Sequence, residues 1–307
     1  MMISKEISAS PDSAQWHSID WKSIESHVLK LQMRIAKATR EGKRSKAKAL
    51  QWILTHSRSA KLLAVKRVSQ NKGSKTPGID GVIWSTDTRR MKALNQLSRK
   101  AYQAKPLKRI YIPKKNGKLR PLGIPCMIDR AQQALHLLAL EPISETLADP
   151  NSYGFRPNRS TADAVDQCFK CLALKKSAKW VLEGDIKSCF DKIGHQWLIE
   201  NIAVDKRMLE QWLKSGFVDK GLFYHTDEGT PQGGIISPTL MLMTLAGLEQ
   251  RIKSTALKKG ARANFIGYAD DFVITCASKE VLENDIKPLI AEFLGGRHLA
   301  TGVVYPT

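Results

Sequence analysis

The sequence predicts an α+β fold with a small, mainly antiparallel sheet, and three stretches predict it. Phe265 to Cys276 reads Phe-Ile-Gly-Tyr-Ala-Asp-Asp-Phe-Val-Ile-Thr-Cys. Two runs rich in aromatic and β-branched residues flank an acidic pair, which is the pattern of a β-hairpin. Trp180 to Asp191 opens as an apolar strand and delivers Asp185, then Asp191, near its exit. From Trp21 to about Lys72 the apolar period becomes that of a helix, with Ile24, Val28, Leu31 and Ile35, and later Leu50, Ile53 and Leu54.

The adjacent Asp270 and Asp271 set the chemistry. Like charges held together raise each other's pKa and oppose folding unless a cation or basic partner neutralises them. A divalent cation with oxygen ligands meets that need, and Mg²⁺ keeps one or two protein carboxylates together with substrate phosphates. An acidic turn left in water is the plain alternative, because Asp favours turns for local reasons. Asp185, arriving on a distant strand, adds a third carboxylate. Three such ligands suit a pair of Mg²⁺ ions about 3.5–4 Å apart, which clamp the attacking and leaving oxygens of an in-line phosphoryl displacement.

Composition narrows the partner. The 307 residues carry 49 Lys and Arg against 29 Asp and Glu, a net charge of +20, which favours a polyanion and above all nucleic acid. No apolar run reaches transmembrane length and no signal-peptide pattern opens the chain, so a cytoplasmic protein without membrane association is expected. Five scattered cysteines suit reduced thiols. Cys168 and Cys171 form a C-x-x-C whose spacing also fits one face of a helix from Ala162 to Leu174, and no second pair completes a zinc site.

In order along the chain, Asp185-Ile-Lys-Ser-Cys-Phe190, Pro231-Gln-Gly-Gly234 and Tyr268-Ala-Asp-Asp271 resemble the palm motifs of reverse transcriptases. Upstream, Tyr111-Ile-Pro-Lys-Lys-Asn-Gly-Lys-Leu-Arg-Pro-Leu-Gly-Ile-Pro125 and Tyr153-Gly-Phe-Arg-Pro-Asn-Arg-Ser160 resemble the form found in group II intron-encoded reverse transcriptase/maturase proteins, which belong to mobile elements. The likeness runs from Lys75 to Phe293, about seven-tenths of the chain. It implies an RNA-directed DNA polymerase: a polymerase-type palm over residues 180–294, fingers over 75–179 and a basic helical N-terminal extension over 1–74. It implies Asp185, Asp270 and Asp271 as catalytic metal ligands. Its partners are an RNA template, intron RNA, a DNA primer and a deoxynucleoside triphosphate.

The elements then follow in order. Residues 1–20 are polar and without period, a loose terminus. Between Lys30 and Arg67 stand twelve Lys and Arg and one acid, Glu41, either a solvated helix face or a surface turned to phosphates. The resemblance implies a grip on template and intron RNA there. Lys75-Thr-Pro-Gly-Ile-Asp-Gly81 is a turn-rich break in which Asp80 closes an Asx-type turn. Arg99 to Arg120 holds nine Lys and Arg and no acid, and Lys114 to Lys118 reads as a hairpin tip with Asn-Gly at the turn. By resemblance Lys114 and Arg120 take the triphosphate, with Lys115 and Lys118 as weaker candidates.

Asp129 to Leu147 reads as a helix ending near Pro142, with His136 packed among leucines. Arg156 and Arg159 sit in a Gly/Pro turn, where template or primer contact and local capping are both open. Thr161 caps the next helix, with Asp163 in its first turn. Phe190 is implied to lie under the incoming sugar and to exclude a 2′-hydroxyl. Asp191 reads as a local cap or ion-pair residue. Gly229 to Pro238 is a flexible loop in which Gln232 is implied to contact the nucleotide and Gly233 the primer-template, followed by one long helix from Thr239 to Ile252. Tyr268 is implied to shape the primer and template side.

After Leu294 the likeness stops. Residues 295–307 are expected to be an aberrant, truncated tail in place of thumb and maturase domains. A catalytically inactive RNA-binding remnant is therefore the rival function.

Overall fold

Three helices follow one another where the sequence turns basic. In this computed structural model, which describes residues 15–302 apart from Ala101, Lys115 and Asn116, together with the backbone of Tyr305–Pro306, α1 spans Trp21–Arg40. Asp20 caps it by accepting the Ser23 amide at 3.1 Å, and Val28, Leu31, Ile35 and Ala38 form its buried stripe. α2 (Arg44–His56) buries Ala47, Leu50 and Leu54. Ile53, expected on that face, is instead 45% exposed. α3 (Arg58–Gln70) buries Ala60, Leu62, Ala64, Val65 and Val68, while Lys66 pairs with Glu25 at 3.0 Å and Arg67 with Glu141 at 3.5 Å. Asp80 accepts the Val82 amide at 3.1 Å, the Asx turn expected there. α4 covers Asp87–Gln96.

The chain divides into two units. The first comprises Met1–Pro142, Lys214–His225 and Gly233–Ile235; the second comprises Ile143–Leu213, Thr226–Gln232 and Ile236–Thr307. The sheet of the first has the order β2-β1-β4-β5. β1 (Leu107–Pro113) and β2 (Leu119–Ile124) form the basic hairpin in antiparallel register. β4 (Phe217–Asp219) joins β1 in parallel and continues through Lys220-Gly221 into β5 (Leu222–Tyr224). α5 runs from Met127 to Leu147, two residues longer at its start than the expected Asp129–Leu147, with Pro142 inside it rather than at its end. His136 is buried on it and its Nδ1 lies 2.9 Å from the Gln132 carbonyl. The Arg130 guanidinium donates to the carbonyls of Pro125, Gly73 and Thr76 at 2.7–2.9 Å, tying the turn before Asp80 to this helix.

The second unit holds an antiparallel sheet of order β6-β7-β3-β8. β3 is Trp180–Asp185, β6 Ala263–Tyr268, β7 Asp271–Cys276 and β8 Tyr305–Pro306. α6 spans Thr161–Leu172, and its cap lies one residue before the expected Thr161: Ser160 is the N-cap, and its amide donates to Asp163 at 2.7 Å. Cys168 and Cys171 are free, half-buried thiols on it. α7 (His195–Asn201) and α8 (Lys206–Leu213) follow. The long helix expected after the Pro-Gln-Gly-Gly loop is two helices, α9 (Ser237–Leu245) and α10 (Leu248–Lys258). They part at Gly247, which has φ 91°, because the buried Asp149 carboxylate accepts the amides of Gly247 and Glu249 at 3.0 and 3.1 Å. α11 (Lys287–Gly295) follows the hairpin. Among the described residues no helix is long and apolar enough to cross a membrane.

Candidate active site

Strand register brings the predicted carboxylates to one end of the second unit's sheet. β3 pairs with β7 so that Asp185 lies opposite Asp271, and β6 pairs with β7 so that Tyr268 lies opposite Asp271. Side chains of such partners share a face. Asp185, Tyr268 and Asp271 therefore project together. Asp270 sits beside them in the two-residue loop, and its carbonyl accepts the Ile186 amide at 3.0 Å, fastening the tip to the exit of β3. A cleft of about 500 Å³ opens on that face, lined by Val165 and Cys168 of α6 and by Asp185, Tyr268, Asp271 and Val273 of the sheet.

Its electrostatics are unbalanced. None of Asp185, Asp270 and Asp271 has a side-chain hydrogen bond or ion pair among the described residues. Burial pushes the Asp271 carboxyl up, and the charges of Asp270 and Asp185 push it further. Cys189, buried behind them, has its thiol raised to about 12, first by burial and then by Asp270, Asp185 and Asp191. Among the described residues no three Asp, Glu, His or Cys side chains close round one point as a ready metal cage. One or two carboxylates with open positions are nevertheless what Mg²⁺ takes when substrate phosphates complete its shell. The unneutralised carboxylates fit such an ion.

The tip is held in a strained shape. Ala269 has φ 59°, the first position of a two-residue loop where glycine is the usual occupant. The segment Asn151–Gly154 runs along the outer edge of β6 and braces it: the Tyr153 amide donates to the Gly267 carbonyl at 2.8 Å, and the Gly267 amide to the Asn151 carbonyl at 2.9 Å. Arg156, expected at the primer-template, ties this loop to the end of α5. Its guanidinium donates to Glu145 at 2.9–3.2 Å and to the carbonyls of Asp149 and Ser152. Sequence reasoning missed this brace, since its hydrogen bonds join backbones far apart in the chain.

Phe190 stands in the helical turn Cys189–Lys192, edge-on to Phe155 at 5.7 Å. Its carbonyl accepts the Thr230 amide, so the loop before Pro231 is seated against it. Gln232 donates from Nε2 to both oxygens of Asp191 at 3.0 and 3.1 Å, which gives Asp191 its local partner. Of the residues beyond Leu294, Thr301 and Gly302 lie at the exit of β3: the Gly302 amide donates to the Asp185 carbonyl at 2.5 Å, and Thr301 bridges Ile186.

In the first unit, Lys114 and Arg120 are exposed on the β1–β2 hairpin. The Lys114 amide donates to the Lys118 carbonyl at 2.8 Å, and Gly117 takes φ 78° at the turn. Lys115 lies outside the described residues. Gly233, at φ 114°, approaches β2 so closely that a β-carbon there would stand 2.5 Å from the Gly123 carbonyl.

Residues 112–295 match the family model described as reverse transcriptase (RNA-dependent DNA polymerase), and residues 16–97 match that of the N-terminal domain of reverse transcriptase. Protein YkfC of Escherichia coli K12 is 39% identical over 216 residues, covering 65% of this chain and 56% of the relative. The group II intron-encoded protein LtrA of Lactococcus lactis subsp. cremoris is 35% identical over 205 residues, covering 64% and 34%. The chain thus spans about half the length, or less, of these curated relatives. Telomerase from Candida tropicalis, solved in complex with a TWJ fragment of telomeric RNA, is similar in fold, with a TM-score of 0.51 at 13% identity over 67% of this chain and 41% of that one.

Proposed function

The chain belongs to the reverse transcriptase (RNA-dependent DNA polymerase) family, and from that premise we propose that it extends a DNA primer on an RNA template with deoxynucleoside triphosphates. The observation that carries this reading is three carboxylates without side-chain partners among the described residues at one end of the sheet, Asp185 opposite Asp271 in the β3–β7 register and Asp270 beside them in the loop. In the reaction the primer 3′-hydroxyl attacks the α-phosphate and pyrophosphate leaves.

Asp185 with Asp270 or Asp271 would hold Mg²⁺, two ions in all, which when bound supply activation of the hydroxyl and stabilisation of charge on the phosphoryl oxygens. Lys114 and Arg120 neutralise the triphosphate and the departing pyrophosphate. Phe190 fills the volume that a 2′-hydroxyl would need, leaving that hydroxyl crowded and unpaired. Gln232, through Asp191, holds the loop that carries Pro231 beside this ring. Tyr268 shapes the primer side of the tip. Arg156 serves by keeping the Asn151–Gly154 brace in place. Intron RNA is the partner we carry over from the group II intron-encoded relatives.

The test is primer extension on an RNA template with Mg²⁺ and deoxynucleotides, comparing the wild type with Asp270→Asn. A loss of roughly 10²-fold or more is expected, the scale on which removing one electrostatic stabiliser acts. If neither protein extends the primer while both bind RNA, the reading as a binding protein without synthesis takes its place.

A further inference from the structure

The first unit carries a second site, unused by the reaction proposed above. Where α2 ends and α3 begins, a pocket of about 360 Å³ lies against α4. Met91 and Leu94 form its buried floor, and Arg58, Lys61 and Lys92 stand round its walls with Asn95. No acidic residue lines it. Among the described residues none of the three cations has an ion-pair partner. The nearest carboxylate along α4, Asp87, is taken by Arg90 and by His17 at 2.8 Å. Three cations without an acidic neighbour round a polar hollow suit an anion, and the hollow has room for a phosphate with its sugar.

The rim identifies which anion. His56 lines the pocket, and its ring stacks on Trp52 with centroids 4.2 Å apart and planes 23° from parallel. His56 Nδ1 lies 2.8 Å from the Trp52 carbonyl, which fixes the imidazole and so the stack. The indole is 61% exposed. One open aromatic face beside a phosphate-sized basic pocket matches one kind of ligand, a planar base joined to a phosphate. In a duplex the base faces are covered by their neighbours, so only an unpaired nucleotide can offer both groups.

We infer that Trp52 and this pocket bind one unpaired nucleotide of a single-stranded nucleic acid, the base stacking on the indole and its phosphate held by Arg58, Lys61 and Lys92. The site needs no synthesis, so failure of primer extension leaves the inference standing, and failure of this site leaves the polymerase reading standing.

The test is fluorescence-anisotropy titration with a labelled oligouridylate, the matching oligothymidylate and a blunt RNA duplex, each of roughly 12 residues per strand, within the range of such sites. Trp52→Ala is expected to weaken single-strand binding about tenfold, since stacking of a base on an aromatic side chain acts on that scale. Duplex binding should change less than about twofold, because its electrostatic contacts remain. Trp52→Phe should restore most of the loss, and Lys61→Gln with Lys92→Gln should weaken single-strand binding and flatten its salt dependence. The single strand on which the Trp52 effect appears, ribose or deoxyribose, names the source of the nucleotide. Equal losses on single strand and duplex, or no loss with Trp52→Ala, would overturn the assignment. Because Trp52 is exposed, an unchanged melting temperature will accompany a binding effect that belongs to the site.

Discussion

A β-carbon at position 154 would lie 2.1 Å from the backbone nitrogen of Ala269 and 2.8 Å from its Cα, against main chain with no flexible end to swing aside. Ala269 already sits in the left-handed region, a strain of roughly 1–3 kcal/mol kept only where neighbours enforce it. Gly154→Ala should therefore shift the tip that carries Asp270, lowering the melting temperature and cutting primer extension at least about tenfold even well below the melt. A variant that extends normally would show that the tip tolerates displacement. Asp129 gives a prediction of another kind. Burial raises its carboxyl to about 6, against the Tyr102 hydroxyl and the Lys105 amide, which pull it down. Between about pH 4 and 6 the folded chain thus holds a proton that the unfolded chain has released, so this group's contribution to stability falls as pH rises through that window. Two pKa units correspond to about 3 kcal/mol. Thermal melts across that range should show a wild-type decline that Asp129→Asn lacks; parallel curves would remove Asp129 as its source.

Asp149 decides where one element ends and another starts. Read for periodicity, Thr239 to Ile252 is one apolar helix, and nothing local announces a break except Gly247. The break is made by a carboxylate from far upstream that takes the Gly247 and Glu249 amides, acting as an N-cap on α10 from outside the helix. Asp149→Ala should cost about 2 kcal/mol, the upper end for a lost cap, while Asp149→Asn, which keeps an acceptor, should cost less; equal melting temperatures for all three proteins would show that the cap carries no stability. The same contrast explains what could be read in advance. β3 and the β6–β7 hairpin stand where their apolar, aromatic and β-branched runs placed them, because that pattern is written in consecutive residues. The Asx turn at Asp80 and the packed His136 were legible for the same reason. β4 and β5 escaped notice although Lys220-Gly221, at φ 49° and 86°, is a tight hairpin turn, since strands of three residues show too little alternation. The carboxylates were legible by motif, but the Asn151–Gly154 brace was not, because backbone hydrogen bonds leave no trace in side-chain type.

At the scale of the whole molecule the excess of twenty positive charges predicts how RNA binding answers to salt. The logarithm of the affinity should fall linearly with the logarithm of salt concentration, by roughly 0.7 for each single-strand phosphate contacted; a flat response would mean that the basic helices do not face phosphates. The division of the chain carries one more consequence. The first unit is built from residues 1–142 together with Lys214–His225 and Gly233–Ile235, and β4, the neighbour of β1, belongs to the second of these stretches. During synthesis the first unit therefore cannot close on residues up to Pro142 alone; it waits for Lys214–His225 and Gly233–Ile235. Until β4 arrives, one edge of β1 stays open, the kind of edge that invites pairing with another chain. The order of synthesis and the order of assembly thus run against each other along this edge.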